Sequence, residues 1–195
     1  MSTQTETINK LIRTRRSTFP ICFSEEVIAD DIIEQIIENA NWAPTHGLTE
    51  PWRFTIFSGD GLRKLGEFQA NWYKENTPTL EFLNVKYQKL LSKPTLCSHV
   101  ISIGVSLENK NHIPEIEEIE SVACAVQNMS LTAHAYNLGS YWGSGGVTYQ
   151  KSANTFFGLE PKDLLVGFLF LGHLKNASQI SGKRTDISTK VRFIK

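Results

Sequence analysis

The longest helical pattern in this chain, from Glu115 to Leu138, limits its possible folds more than any other feature. Apolar residues recur there at the three- and four-residue spacing of a helix face, namely Ile116, Ile119, Val122, Ala123, Val126, Met129 and Ala133. Gly139 follows directly, in the position where glycine commonly ends a helix. The pattern predicts a central helix, and its alanines allow close packing against a neighbouring helix.

Shorter patterns on both sides of this stretch predict further elements. Helical spacing predicts a short helix that ends at the Arg15–Ser17 block, a helix over Asp30 to Ala40, and two helices between Leu62 and Leu91. Runs of β-branched, aromatic and other apolar residues predict strands over Trp52 to Phe57, Val100 to Leu107 and Leu164 to Leu171. The segment Lys190 to Ile194 is a further candidate strand.

Length and composition indicate a single domain over residues 1–195. The chain has 195 residues, of which 41% are hydrophobic, enough for one well-packed core and too few for two ordinary domains. The formal net charge is zero. Without a block of like charge, we expect neither nucleic acid nor a membrane as a partner.

The cysteines and the N-terminus indicate where the protein resides. Cys22, Cys97 and Cys124 are odd in number and lack CxxC spacing, so we expect neither a disulfide framework nor a zinc site. The polar N-terminus lacks the apolar core of a signal peptide, and no apolar run approaches membrane-spanning length. We expect a soluble, cytoplasmic protein.

A first block of interest is Arg15, Arg16 and Ser17, with a second basic pair at Lys183 and Arg184. Guanidinium forks and a hydroxyl are the groups that bind a phosphate monoester. Taken alone, paired arginines at a helix end more often form a solvated face that interacts with the helix dipole. Both interpretations remain open for this block.

A second block runs from Trp42 to Phe54 and crowds Pro44, His46 and Pro51 into one non-helical connection. Its ordinary interpretation is a helix end followed by a strand, with His46 bonded to backbone. Two prolines that fix the backbone also suit a binding loop, in which a histidine can donate a hydrogen bond to an anion.

The third block joins an aromatic pair to glycines, from Tyr141 to Gly146. It matches neither the Walker pattern nor GxGxxG, so it predicts neither a P-loop nor a dinucleotide-binding Rossmann fold. The glycines can form a simple turn, or they can let backbone N–H groups approach a flat ligand.

The three blocks together offer what a flavin mononucleotide needs. Its phosphate needs cations and hydroxyls, and its ring needs an apolar wall with a few directed hydrogen bonds. Glycine lets the backbone approach both parts of the molecule. This combination indicates flavin binding more strongly than any one block.

The same blocks resemble those of the FMN-dependent nitroreductase family, particularly its YdjA-like branch. The resemblance covers roughly Leu11 to Leu174 and includes two further segments, Asn111 to Pro114 and Gly167 to Gly172. It implies an α+β fold with a central, mostly antiparallel sheet flanked by helices. It further implies a homodimer that exchanges its C-terminal tail and holds FMN at the subunit interface.

Site residues follow from the resemblance by position, and none is assigned a catalytic proton. Arg15, Arg16 and Ser17 would hold the FMN phosphate and ribityl chain, and Arg184 resembles a basic residue near that phosphate. Trp42 and His46 would reach the flavin from the other subunit, and Trp142, Gly143 and Ser144 would line it. The stretch implied to contact NAD(P)H comprises Thr132, Ala133, His134, Ala135, Tyr136 and Asn137.

Three residues depart from the family pattern. Glu50 stands where the wider family often has glutamine, and Trp42 and Gly143 stand where the branch tends to carry arginine. Losing cations beside a flavin should stabilise its reduced form less and widen the space over its ring.

The predicted function is an FMN-dependent oxidoreductase that takes hydride from NADH or NADPH and passes it, in a ping-pong reaction, to a small-molecule acceptor of the nitroaromatic or quinone type. One alternative is an FMN-binding protein for storage, sensing or delivery. Another is a structural dimer without a cofactor. Residues 61–93, the expected roof of the site, contain no motif that predicts the acceptor.

Overall fold

A computed structural model describes residues 3–107, 112–176 and 182–195 of the chain. Asn111, which opens one of the segments behind the family resemblance, lies outside the described residues. None of the helices in these ranges combines the length and apolarity that crossing a membrane requires.

Helices pack on both sides of one sheet. The α-helices are α1 (Gln4–Thr14), α2 (Asp30–Asn41), α3 (Asp60–Glu75), α4 (Asn84–Ser92) and α5 (Glu115–Ala135). The strands are β1 (Trp52–Ser58), β2 (His99–Val105), β3 (Leu138–Gly143) and β4 (Leu164–His173). Short 3₁₀ turns span Pro20–Cys22, His46–Leu48, Pro94–Leu96, Lys151–Phe157 and Ile187–Lys190.

The four strands of the described residues form one sheet in the order β1-β2-β4-β3, and each neighbouring pair is antiparallel. Side chains on one face, such as Leu169, pack with α2 and α5. Those on the other face, such as Phe168, pack with α3 and the Lys151–Phe157 turn. The predicted α+β fold with a mostly antiparallel sheet is confirmed.

The predicted helices are confirmed, although α5 ends at Ala135 rather than Leu138. Asn137 takes a left-handed conformation with φ of 58°, which turns the chain from α5 into β3. Gly139 therefore lies inside a strand. Its absent side chain makes room for Phe23, whose Cε1 would lie 2.5 Å from a Cβ at this position. Close packing explains why a glycine is present at this position. The helix end predicted from this glycine was wrong by about one turn.

The candidate strand from Lys190 to Ile194 was also wrong for the isolated chain. Ile187–Lys190 forms a 3₁₀ turn, and residues 191–195 have no regular secondary structure. The side chains of Phe193 and Ile194 are 83% and 84% exposed. None of the strands in the described ranges pairs with this segment, and a strand needs a partner to satisfy its backbone.

Candidate functional site

The end of α1 delivers the first block to the carboxyl end of α5. Thr14 Oγ1 and His134 Nε2 lie 2.8 Å apart, which joins the two helices. The Arg16 guanidinium donates to the carbonyls of Arg13 and Arg15 at 2.6 and 2.7 Å. The C-terminal tail returns to the same place, because a Cβ on Gly182 would lie 2.5 Å from Arg16 Cζ. This contact brings the second basic pair beside the first.

These residues form a cluster of basic side chains, here called the arginine cluster: Arg15, Arg16, His134 and Arg184. Burial lowers the pKa of Arg15, and the charges of Arg16 and Arg184 lower it further. Burial likewise lowers the pKa of His134, with additional effects from Arg15 and Arg16. Within residues 3–107, 112–176 and 182–195, no carboxylate pairs with Arg15 or Arg184. Cations held together in this way favour an anionic ligand.

The cluster continues into the third block through the edge of the sheet. Ser17 forms a parallel β-bridge with Ser140, and Thr18 N donates to Ser140 O at 2.8 Å. The ring of Phe19 then lies 4.8 Å from that of Tyr141. The structure therefore brings the Arg15–Ser17 block and the Tyr141–Gly146 block together, as a shared ligand requires.

Beyond Tyr141, the third block opens on a cavity of about 320 Å³, here called the ring cavity. Phe168 and Phe170 of β4 form an apolar wall. Gly143, Gly145 and Gly146 line a second side, and Leu90 and Pro94 line a third. A flat apolar ligand with one polar edge suits a site of this kind.

Lys93 is a lining residue of the ring cavity that sequence reasoning missed. Its Nζ lies 4.0 Å from the ring centroid of Phe170 and 5.1 Å from that of Tyr141. Burial lowers the pKa of Lys93. No ion pair involves Lys93 in the described part of the chain. Its ammonium, held over ring faces, can stabilise negative charge on a ligand.

The three residues expected to line a flavin from the third block are divided. Gly143 lines the ring cavity. Trp142 belongs to the opposite face of the sheet, where its Nε1 would lie 2.7 Å from a Cβ on Gly167. Ser144 follows the end of β3 and is not among the cavity residues.

Trp42 and His46 lie at the other end of α5. His46 Nδ1 forms a hydrogen bond with Glu117 Oε2 in the first turn of α5. Trp42 ends α2, is 78% exposed, and donates from Nε1 to Glu38 at 2.9 Å. At 1.5 Å per residue, Glu117 and His134 are about 25 Å apart along α5. One chain therefore does not bring His46 to the arginine cluster.

The predicted NAD(P)H stretch also faces several directions, because successive residues of a helix point about 100° apart. Ala133 is buried in the core, His134 joins the arginine cluster, and Asn137 forms the turn into β3. Thr132, Ala135 and Tyr136 line an open groove of about 440 Å³. The other side of this groove comes from α1 and α2, through Leu11, Gln35 and Asn39.

Solved structures share this architecture. The chain matches the nitroreductase-like family protein from Bacillus cereus with a TM-score of 0.83 and 28% identity, covering 100% of this chain and 98% of that one. It also matches the FMN-dependent nitroreductase NfnB from Mycobacterium smegmatis, solved with NADPH, with a TM-score of 0.77 and 16% identity. That match covers 99% of this chain and 100% of the other. At 16% identity, the similarity to NfnB concerns the fold alone.

Sequence comparison agrees over nearly the whole chain. YfhC of Bacillus subtilis (strain 168), provisionally named an NAD(P)H nitroreductase, is 27% identical, with 94% of this chain and 92% of YfhC covered. YdjA of Escherichia coli (strain K12), provisionally named in the same way, is 25% identical, with 88% and 92% covered. The model of the Nitroreductase family matches residues 12–173. The resemblance predicted from the sequence is thus confirmed, and the chain belongs to the nitroreductase family.

Proposed function

We propose that this protein is an FMN-dependent NAD(P)H oxidoreductase that passes hydride through flavin N5 to a nitroaromatic or quinone-type acceptor in a ping-pong reaction. One observation carries the proposal: β3 connects the arginine cluster to the ring cavity. Ser140 of this strand bridges Ser17, and Gly143 lines the cavity. About 10 Å of strand therefore connects the arginine cluster, which suits an anion, to the apolar ring cavity.

The residues present fit FMN at both ends. Arg15, Arg16 and Arg184 would hold the phosphate, and the Ser17 hydroxyl would lie beside the ribityl chain. Phe168 and Phe170 would lie against the ring and keep water from it. Gly143 would allow close approach of the backbone.

Bound FMN supplies the hydride acceptor and donor of the reaction. The protein supplies orientation, exclusion of water and charge. Lys93 is one of three lysines that line the ring cavity, and its half-buried ammonium would favour negative charge on the pyrimidine part of the ring. In this role, Lys93 would compensate for the arginine of the YdjA-like branch that Gly143 replaces.

The site further requires a second copy of the chain. His46 and the arginine cluster belong to opposite ends of α5, about 25 Å apart, so a flavin that touches both must lie between two subunits. In a twofold dimer, each end of the interface would combine the cluster of one subunit with the His46 loop of its partner. The exposed Trp42 would then be covered.

The C-terminal tail supports the same assembly. Phe193 and Ile194 are apolar yet more than four-fifths exposed. Strand β1 is an edge strand of the sheet, since among the described strands it pairs only with β2. Exchange of the tail onto a partner subunit would bury these side chains.

NADH or NADPH is the proposed hydride donor. Of the six residues from Thr132 to Asn137, Thr132, Ala135 and Tyr136 share one open groove. We assign a contact with the dinucleotide to these three, and to His134 beside the arginine cluster. Ala133 would support these contacts through the backbone of α5, and Asn137 would do so through the turn that leads into β3.

An anaerobic titration tests the proposal. The purified protein should show flavin absorbance, bleach with NADH or NADPH, and recover its colour when a nitroaromatic or a quinone is added. Flavin that binds but is not reduced by either nucleotide would instead indicate storage, sensing or delivery. A protein that neither carries nor binds FMN would indicate a structural role.

A further inference from the structure

Gln69 is a buried polar side chain that has no partner in the described part of the chain. It lies on α3 and is only 5% exposed. Its amide makes no hydrogen bond to any residue that the structure describes. The side chain lines the ring cavity, where its polar atoms retain some accessibility. A buried amide in this position is expected to bond to a ligand, because leaving it unpaired destabilises the folded state.

The loop opposite Gln69 is shaped around the amide. Gly146 adopts a φ of 60°, a conformation that L side chains rarely take. A Cβ on Gly146 would lie 2.6 Å from Gln69 Oε1 and 3.2 Å from Leu90 Cδ2. Glycine at this position therefore leaves space for the amide at the cavity wall.

The other side chains of the cavity differ from Gln69 in hydrogen-bonding capacity. Phe168, Phe170, Leu90 and Pro94 have no polar side-chain atoms. Lys86, Lys89 and Lys93 donate hydrogen bonds and cannot accept them. Among the lining residues that the structure describes, only Gln69 offers a side-chain acceptor. A ligand that presents an N–H group to this wall needs this residue.

We propose that the Gln69 amide pairs with the imide edge of the flavin ring, accepting from N3–H and donating to a neighbouring carbonyl. This inference rests on the proposed function. An amide carries one acceptor and two donor hydrogens, and the imide edge carries one donor between two acceptors. Two parallel hydrogen bonds are therefore possible, and they fix the orientation of the pyrimidine. Gln69 is thus a determinant of flavin specificity.

The test compares binding of FMN and N3-methyl-FMN to the full-length protein freed of its flavin, followed by flavin fluorescence. The wild-type protein should bind FMN about tenfold more tightly, because the methyl group removes the donor and leaves the amide unpaired. Gln69→Leu has similar volume and no polar atoms, so its preference should fall below about threefold. Gln88→Leu makes the same change on the exposed face of α4 and should keep the wild-type preference.

Equal binding of both flavins by the wild-type protein would overturn the inference without a variant. A Gln69→Leu protein that keeps the tenfold preference would also overturn it. Either result leaves FMN bound and the proposed function intact. If the wild-type protein binds neither flavin, the proposed function and this inference both fail.

Discussion

The Thr14 hydroxyl and His134 Nε2 lie 2.8 Å apart, and this contact holds the arginine block at the carboxyl end of α5. His46 is bonded to Glu117 at the opposite end of the same helix. The two parts of the predicted FMN site are therefore separated by the length of α5. This separation is the basis for our proposal that two subunits complete the site.

Arg15→Ala should weaken FMN binding by about ten- to a hundredfold, because a charge-assisted hydrogen bond to phosphate contributes roughly 1.5–3 kcal/mol. Riboflavin, which has no phosphate, should bind the variant and the wild-type protein equally. Fluorescence titration of the two flavins measures both effects. Arg63→Ala is a suitable control, because Arg63 is exposed and pairs with Asp60 and Glu67 on α3. Equal loss of FMN and riboflavin affinity would place the phosphate elsewhere.

His46→Ala should reduce the amount of FMN that the purified protein retains. The reason is its predicted position against the flavin of the partner subunit. Flavin content per chain, compared with that of the control Thr95→Ala, measures the effect. Thr95 is exposed and bonds only locally, from its hydroxyl to the carbonyl of Ser92. Unchanged flavin occupancy would remove His46 from the site.

Lys93→Met should lower the two-electron potential of bound FMN by about 30 mV or more, which corresponds to about 1.4 kcal/mol. The methionine keeps much of the side-chain volume but removes the charge that favours the reduced, anionic ring. Lys64→Met, which removes an exposed lysine paired with Asp60, should leave the potential unchanged. Spectroscopic redox titration measures both variants. A potential that Lys93→Met leaves unaltered would show that this ammonium is not near the pyrimidine.

Gly146→Ala should destabilise the protein by about 1–3 kcal/mol, because it forces a side chain into a strained conformation. The new Cβ would also press against the Gln69 amide. Gly145→Ala is the matched control, since a Cβ there would meet no atom within 4 Å. Chemical denaturation compares the two. Similar stability of both variants would contradict the packing described around Gln69.

Protonation of His134 should oppose folding and favour anion binding. Burial and the neighbouring arginines lower the pKa of His134 in the folded protein below the ordinary histidine value of about 6.5. Below pH 6.5 the unfolded chain therefore binds more protons at this residue, so its contribution to stability is lost as pH falls through the folded pKa. His134→Asn should reduce the loss of stability between pH 7 and pH 5, measured by denaturation without flavin. Burial also lowers the pKa of His99. The His134→Asn variant should therefore keep the part of the stability loss at low pH that comes from His99. A pH profile that the variant does not alter would contradict this account.

The sequence predicted the helices and three of the four strands, because their apolar spacing is local. It misread β3, since Gly139 resembles a helix stop when its contact with Phe23 is unknown. The arginine block became a candidate phosphate site only in combination with the other blocks and the family resemblance, and that role stays a prediction. Lys93 and Gln69 were not recognisable from the sequence, because their role depends on how α3 and the segment after α4 pack against β4, which only the tertiary structure shows.

A crystal structure of the protein grown with FMN would show the oligomeric state and the flavin contacts together. We expect a dimer with the phosphate at Arg15 and Arg184, the ring in the cavity beside Lys93, and the partner's His46 against the same flavin. A colourless monomer, or FMN bound away from the strand that joins the arginine cluster to the ring cavity, would contradict this expectation.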